Sequence, residues 1–140
     1  MRRYLVVANK TLGNPSLADT VQRCLEEGSC RFTVLVPAIP STGGATWVES
    51  EANAEARARV EQTLEWFRSL GAHADGVVGD HWPMAAIGDV LDREQFDEII
   101  ISTLPPGRSR WLRFDLPSRV RSSFGLPVTH VVAQPELLYG

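Results

Sequence analysis

Lysine is almost missing from this chain: 13 of its 14 basic residues are arginine, and only Lys10 is lysine. Cysteine is nearly as scarce. Cys24 and Cys30 are too few for a disulfide framework, their spacing fits no common zinc pattern, and the nearest histidine in sequence is His73. Cys24 falls on the apolar stripe of a predicted helix, which makes it a reduced core thiol. Long apolar runs are also missing. None approaches the roughly 18 residues of a membrane span, and the first, 4–8, is too short for a secretory leader before Asn9 and Lys10 interrupt it. These absences describe a soluble cytoplasmic protein.

Signature motifs are absent too. There is no H-x-x-x-H, C-x-x-C or G-x-S-x-G, no G-x-x-x-x-G-K-[ST] phosphate loop, and no G-x-G-x-x-G after the first strand. His73, His81 and His130 fall on separate segments. A phosphoacceptor receiver of this size wants acids at the end of its first strand, where this chain has Asn9. The catalytic inventory is therefore thin.

What is present is an ordinary globular composition. The 140 residues, 44% hydrophobic and 22% charged, suit one domain over 1–140 and exclude disorder or coiled coil. A net charge of −3 disfavours nucleic acid as a partner. The charge is uneven, however. Arg108, Arg110, Arg113, Arg119 and Arg121 share fourteen residues with a single acid, Asp115, while Asp89, Asp92, Glu94, Asp97 and Glu98 just upstream face only Arg93.

Continuous apolar runs at 4–8, 32–36, 98–102 and 127–132, with a weaker one at 73–78, read as strands buried on both faces. Helical periodicity fills the gaps. One stripe is Leu17, Val21, Cys24 and Leu25, opened by Asn14-Pro15; a second is Val60, Leu64 and Phe67 in a long helix over about 51–70. A third is Ile87, Val90 and Leu91 behind Pro83, and a short fourth holds Val120 and Phe124 between Pro117 and Gly125. Strict β-α alternation predicts an α/β fold: a doubly wound open sheet of five parallel strands with helices on both faces. Ligands of such sheets sit at the carboxyl ends of the strands, which singles out the loops 9–15, 37–50, 79–83 and 103–116.

The last of these carries the strongest chemistry. Ser102 and Thr103 supply hydroxyls, Gly107 frees the backbone, and Arg108, Arg110 and Arg113 follow before a helix begins. Hydroxyls, open backbone N–H groups and guanidinium forks are what a phosphate or carboxylate needs. The plainer reading is a solvated basic face, or one paired with the acids of 89–98. Asn9 either meets a ribose or base or closes its own turn. Gly79 permits close backbone approach, and Asp80 is expected to cap the helix that follows. Trp82 and Trp111 lie in these ligand-side loops, whereas tryptophans are more often core or interface fillers.

On these residues the chain resembles the universal stress protein family, whose fold is adenine-nucleotide α-hydrolase-like. Residues 4–11 look like its first strand and loop, 71–80 like its third strand and Gly-Asp turn, and 97–132 like its C-terminal third; His81-Trp82 before Pro83 is an insertion. The resemblance implies a homodimer through the strand at 127–132. Family members that bind ATP carry G-x2-G-x9-G-[ST] after the fourth strand, and those positions fall here on Ser102, Pro105, Asp115 and Leu116. The usual ATP motif is absent, so the cofactor is open: ATP or another nucleotide held differently, or another small anion.

The leading expectation is a regulatory stress-response domain that binds such a ligand without turnover. Its anionic part would meet Ser102, Thr103, Gly107, Arg108 and Arg110, and a ring would lie between Ala8-Asn9 and Val36, with Gly79 nearby. Two other readings stand beside it. One is a ligand-free dimeric interaction module using the closing strand and residues 137–139. The other is a slow Mg²⁺-dependent nucleotide hydrolase using Asp80 or Asp115.

Overall fold

In the computed structural model, residues 1–8, 11, 13–38, 49–107 and 109–133 are described here, of 49 and 50 the backbone alone. Asn9, Lys10, Leu12, residues 39–48, Arg108 and the tail at 134–140 lie outside the described residues. The elements run β1 (Arg2–Val7), α1 (Pro15–Glu27), β2 (Cys30–Pro37), α2 (Glu49–Ser69), β3 (Ala74–Gly79), α3 (Pro83–Arg93), β4 (Glu98–Thr103), α4 (Arg110–Arg113), α5 (Leu116–Phe124) and β5 (Val128–Val132). The sheet is parallel throughout, in the order β3-β2-β1-β4-β5. The doubly wound α/β sheet expected from the sequence is the one observed. Its order reverses at β1, which has β2 on one side and β4 on the other.

Alternation along each strand explains why the runs are apolar without a polar face. Tyr4, Val6, Phe32, Val34, Val36 and Ile100 belong to one core layer, shared with Leu17 and Val21 of α1 and Val60 and Phe67 of α2. Leu5, Val7, Leu35, Ile99 and Ile101 belong to the other, with Ile87 and Val90 of α3 and Leu116 and Val120 of α5. Both faces are therefore covered, as parallel sheets require. Phe32 anchors the first layer, stacked on Tyr4 and edge-on to Phe67, each at 5.3 Å between ring centroids.

Local signals place the helices. The Asn14 side chain accepts from the Ser16 N–H at 2.9 Å and Pro15 opens α1. Along α2, Ala52, Ala56, Val60, Thr63 and Phe67 are the buried residues, a stripe at three- and four-residue steps. Two glycines of β3 let helices press on the sheet from opposite sides. A Cβ on Gly76 would collide with Val60 of α2, and one on Gly79 would come within 2.8 Å of Ala86 of α3.

Two local expectations are corrected. Asp80 does not cap α3: its Oδ1 accepts from the Trp82 N–H at 2.9 Å, closing an Asx turn ahead of the helix, and Trp82 occupies the N-cap position without a side-chain hydrogen bond. The stretch 103–116 is not all loop either. Ser109 accepts from the Leu112 N–H at 3.3 Å and starts the single turn α4, too short to show periodicity in the sequence.

Candidate functional site

The carboxyl ends of β1 and β4 meet where the strand order reverses, and β2 and β3 end beside them. Ala8 and Val36 are fully buried there, and Gly79 ends β3. Across the switch, Ser102 and Thr103 end β4, both buried. Asn9 and Arg108, also assigned to this site from sequence, lie outside the described residues.

The two hydroxyls are turned inward. Thr11 donates its proton to the Ser102 carbonyl at 3.3 Å, and the Thr11 and Ser102 hydroxyl oxygens are 2.7 Å apart. The two hydroxyls are thus hydrogen-bonded to each other inside the protein. Ser102 is only 1% exposed. On the other face, Thr103 Oγ1 lies 2.8 Å from Nε2 of His130 on β5. These hydroxyls fasten the first loop and β5 to the end of β4. Burial forces this, since an unpaired hydroxyl there would forfeit its hydrogen bond with water.

His130 feels a balance of charges. Burial pushes its imidazole below the usual range, the Asp115 carboxylate opposes that, and the Arg121 guanidinium adds to it. Asp115 itself is the one non-glycine described residue at positive φ, 53°, and begins α5 without donating or accepting a capping bond through its side chain.

The arginines are the unspent donors. Arg110, Arg113, Arg119 and Arg121 are exposed, and none takes part in an ion pair among the described residues. Two of the acids expected to neutralise them are engaged elsewhere: at the amino ends of β1 and β4, Glu94 pairs with Arg3 at 3.3 Å and Glu98 with Arg2 at 3.4 Å. Gly107, at φ 88°, turns the chain toward this arginine segment in a conformation that favours glycine.

Aromatic residues complete the edge. Trp111 is buried in the layer beneath α4, and Trp82 packs on Phe114 with 4.9 Å between ring centroids. Sequence reasoning singled out both tryptophans but had no means of pairing Trp82 with Phe114, which lies 32 residues away. A groove of about 420 Å³ opens along the outer edge of β3, lined by Ala38, Asn53, Gly79, Asp80, Asp89 and Arg93 among others. Among the described residues, no group of three or more His, Cys, Asp or Glu side chains is arranged to hold a metal ion, and no helix is long and apolar enough to cross a membrane.

At the level of sequence, no family model and no curated protein matches the chain. Its shape does find counterparts. A universal stress protein from Archaeoglobus fulgidus superposes with a TM-score of 0.63 at 16% identity, over 94% of this chain and 93% of that one. The chain has the universal stress protein fold. A universal stress protein family protein from Arabidopsis thaliana, solved with AMP bound, gives a TM-score of 0.59 at 11% identity over 97% and 94% of the two chains. A universal stress protein in complex with cAMP gives 0.58 at 15% identity over 93% and 95%.

At the floor of the switch-point crevice the Thr11 and Ser102 hydroxyls are bonded to each other, and every described buried side-chain nitrogen or oxygen has a partner. The arginines of α4, Arg110 and Arg113, are exposed.

Proposed function

We propose that this chain is a cytoplasmic, universal-stress-protein-like regulatory domain spanning 1–140, which binds a small anionic ligand or nucleotide without turning it over. The observation that carries the proposal is the set of exposed arginines, Arg110 and Arg113 foremost, that stand without ion pairs beside the end of β4. An anion is held from the rim by the Gly107 backbone, Arg108 and Arg110, over a floor made by Ser102 and Thr103. A ring lies along Ala8, Asn9 and Val36, with Gly79 leaving room beside it. This mode differs from one built on glycines after the fourth strand, because guanidinium charge replaces backbone N–H groups. The AMP and cAMP complexes of proteins sharing the fold support a nucleotide as the ligand class.

The test is calorimetric titration with Mg-ATP, AMP and inorganic phosphate, freed of carried-over ligand. Arg108→Ala with Arg110→Ala is expected to weaken nucleotide binding at least about tenfold, the scale of lost charge-assisted bonds, and to leave thermal stability unchanged. Equal affinity in the double variant sinks this placement of the anion.

A second reading, a ligand-free dimeric interaction module, is favoured by the Thr11–Ser102 hydrogen bond that fills the crevice floor. Both readings include a homodimer through the strand at 127–132, whose outer edge carries the half-exposed Val132. No heat with any of the three probes, from a protein that sediments as a dimer, selects the second reading.

A further inference from the structure

Among the described residues β3 pairs with β2 alone, which leaves its other side as an edge of the sheet. The Phe32 N–H donates to the His73 carbonyl and the Ala38 N–H to the Gly79 carbonyl, each at 3.0 Å. With the two-residue period of a parallel ladder, residues 73, 75, 77 and 79 face β2, and Ala74, Gly76 and Val78 turn their N–H and C=O groups outward. No backbone group of the described residues meets those outward groups. Edges are commonly blunted by lysine or proline. β3 has neither, and its one charged side chain, Asp75, is bonded to Thr33 of β2 at 2.8 Å.

The groove of about 420 Å³ runs along this edge, lined by Val78 and Gly79 of β3, Asn53 of α2, and Asp89 and Arg93 of α3. Asp80, at its upper end, is already engaged with the Trp82 N–H and with His81. Asp89 and Arg93 are exposed, and neither takes part in an ion pair among the described residues. They stand one helical turn apart on the same side of α3, a rise of about 6 Å. Side chains two residues apart on a strand point the same way and are separated by about 6.6–6.8 Å. The α3 wall thus presents a carboxylate and a guanidinium at the spacing of alternate residues on a strand laid beside β3. Because α3 runs back from the carboxyl end of β3, Asp89 is nearer that end and Arg93 nearer the other.

We propose that the outer edge of β3 binds an extended peptide segment of a partner protein as an added strand, its backbone bonded to Gly76 and Val78 and its Lys-x-Glu pair met by Asp89 and Arg93. The order of the pair follows from antiparallel addition, the slightly more stable pairing, which brings the basic side chain to the carboxyl end of β3. Main-chain bonds supply the affinity and alternate side chains the specificity. The site is separate from the arginine segment that follows β4, and it stands whether or not an anion binds there.

The experiment measures fluorescence anisotropy of two labelled, end-blocked peptides, Thr-Val-Lys-Val-Glu-Val-Thr and its charge-reversed form Thr-Val-Glu-Val-Lys-Val-Thr. Wild type is expected to prefer the first about fivefold, the scale of two exposed ion pairs. Asp89→Lys with Arg93→Glu, checked for unchanged thermal unfolding, is expected to invert that preference. Val78→Pro removes an outward N–H but no ladder bond, and is expected to weaken both peptides about tenfold. Amide exchange at Gly76 and Val78 of wild type is expected to slow when the first peptide binds. The charge-reversed variant and the exchange measurement decide the case if Val78→Pro does not fold. No saturation of wild type at millimolar peptide overturns the proposal, as does equal affinity for both peptides or binding that leaves Gly76 and Val78 exchange unchanged. Self-association of wild type that Val78→Pro abolishes overturns it in favour of a second copy of this chain on the same edge.

Discussion

Thr11 and Ser102 stand 91 residues apart in the chain, yet their hydroxyl oxygens are 2.7 Å apart and both residues are buried at the point where the strand order reverses. The first connection is thereby fastened to the end of β4 at the place where parallel sheets of this kind usually receive ligands.

That bond has a measurable stability. Ser102→Ala removes one hydroxyl but leaves Thr11 its bond to the Ser102 carbonyl, for an expected cost of about 1 kcal/mol. Thr11→Val removes both bonds and is expected to cost roughly 1–3 kcal/mol. In urea unfolding, the two changes together are expected to cost less than their sum, by on the order of 1 kcal/mol. Strict additivity would mean that the short contact contributes nothing of its own.

The close approach of helices to β3 makes Gly79 the less replaceable of its two glycines. An alanine Cβ there would lie 2.8 Å from both Ala86 Cβ and Leu35 Cδ1, two groups packed in the core. Gly79→Ala is expected to destabilise by roughly 1–3 kcal/mol. The Cβ of Gly76→Ala would meet the end of the Val60 side chain, so Val60→Ala in the same chain is expected to recover part of its cost. Chemical unfolding of the single and double variants checks both statements. Failure of Val60→Ala to help would place the strain elsewhere.

Stability depends on pH at both ends of the range. Burial pushes the Tyr4 phenol up to about 12, with the Arg2 guanidinium pulling the other way. The native state thus holds that proton more tightly than the unfolded chain does. The resulting stabilisation is complete below the ordinary phenol value of about 10 and is lost as pH rises toward about 12. His130 has the opposite sign. Its imidazole is held below the ordinary value of 6.5, so the unfolded chain takes up the proton first and stability falls as pH drops below 6.5. Tyr4→Phe is expected to flatten the alkaline limb and His130→Gln part of the acid limb of unfolding free energy against pH. An unchanged slope in either variant refutes its assignment.

If two copies join through the outer edge of β5, Val132 lies in the contact. Val132→Glu is then expected to sediment as a monomer at concentrations where wild type is a dimer, with the same far-ultraviolet circular dichroism. A wild-type protein that stays monomeric at high micromolar concentration excludes that interface.

The layout of the chain was legible from residue order. Continuous β-branched runs separated by helical stripes prescribe a parallel sheet covered on both faces, and each signal acts within a few residues: Asn14-Pro15 opens α1, and Pro83 opens α3. Side-chain periodicity and capping are local physics, so the sequence carries them directly. The single turn α4 escaped because four residues are too few to display a period. Asp80 was misplaced because an Asx turn and a helix cap use the same side-chain acceptor, and only the backbone path distinguishes them.

What the hydroxyls and rings do was decided by tertiary structure alone. Nothing near Ser102 in sequence signals that Thr11 will take its hydroxyl, or that His130 will lie 2.8 Å from Thr103. The meeting of Trp82 and Phe114 likewise depends on which strands separate their loops. Residue types told which groups were able to bind an anion, but a hydroxyl or a guanidinium is available only if no internal partner claims it. That depends on strand order and packing, which bring together residues that the chain itself keeps far apart.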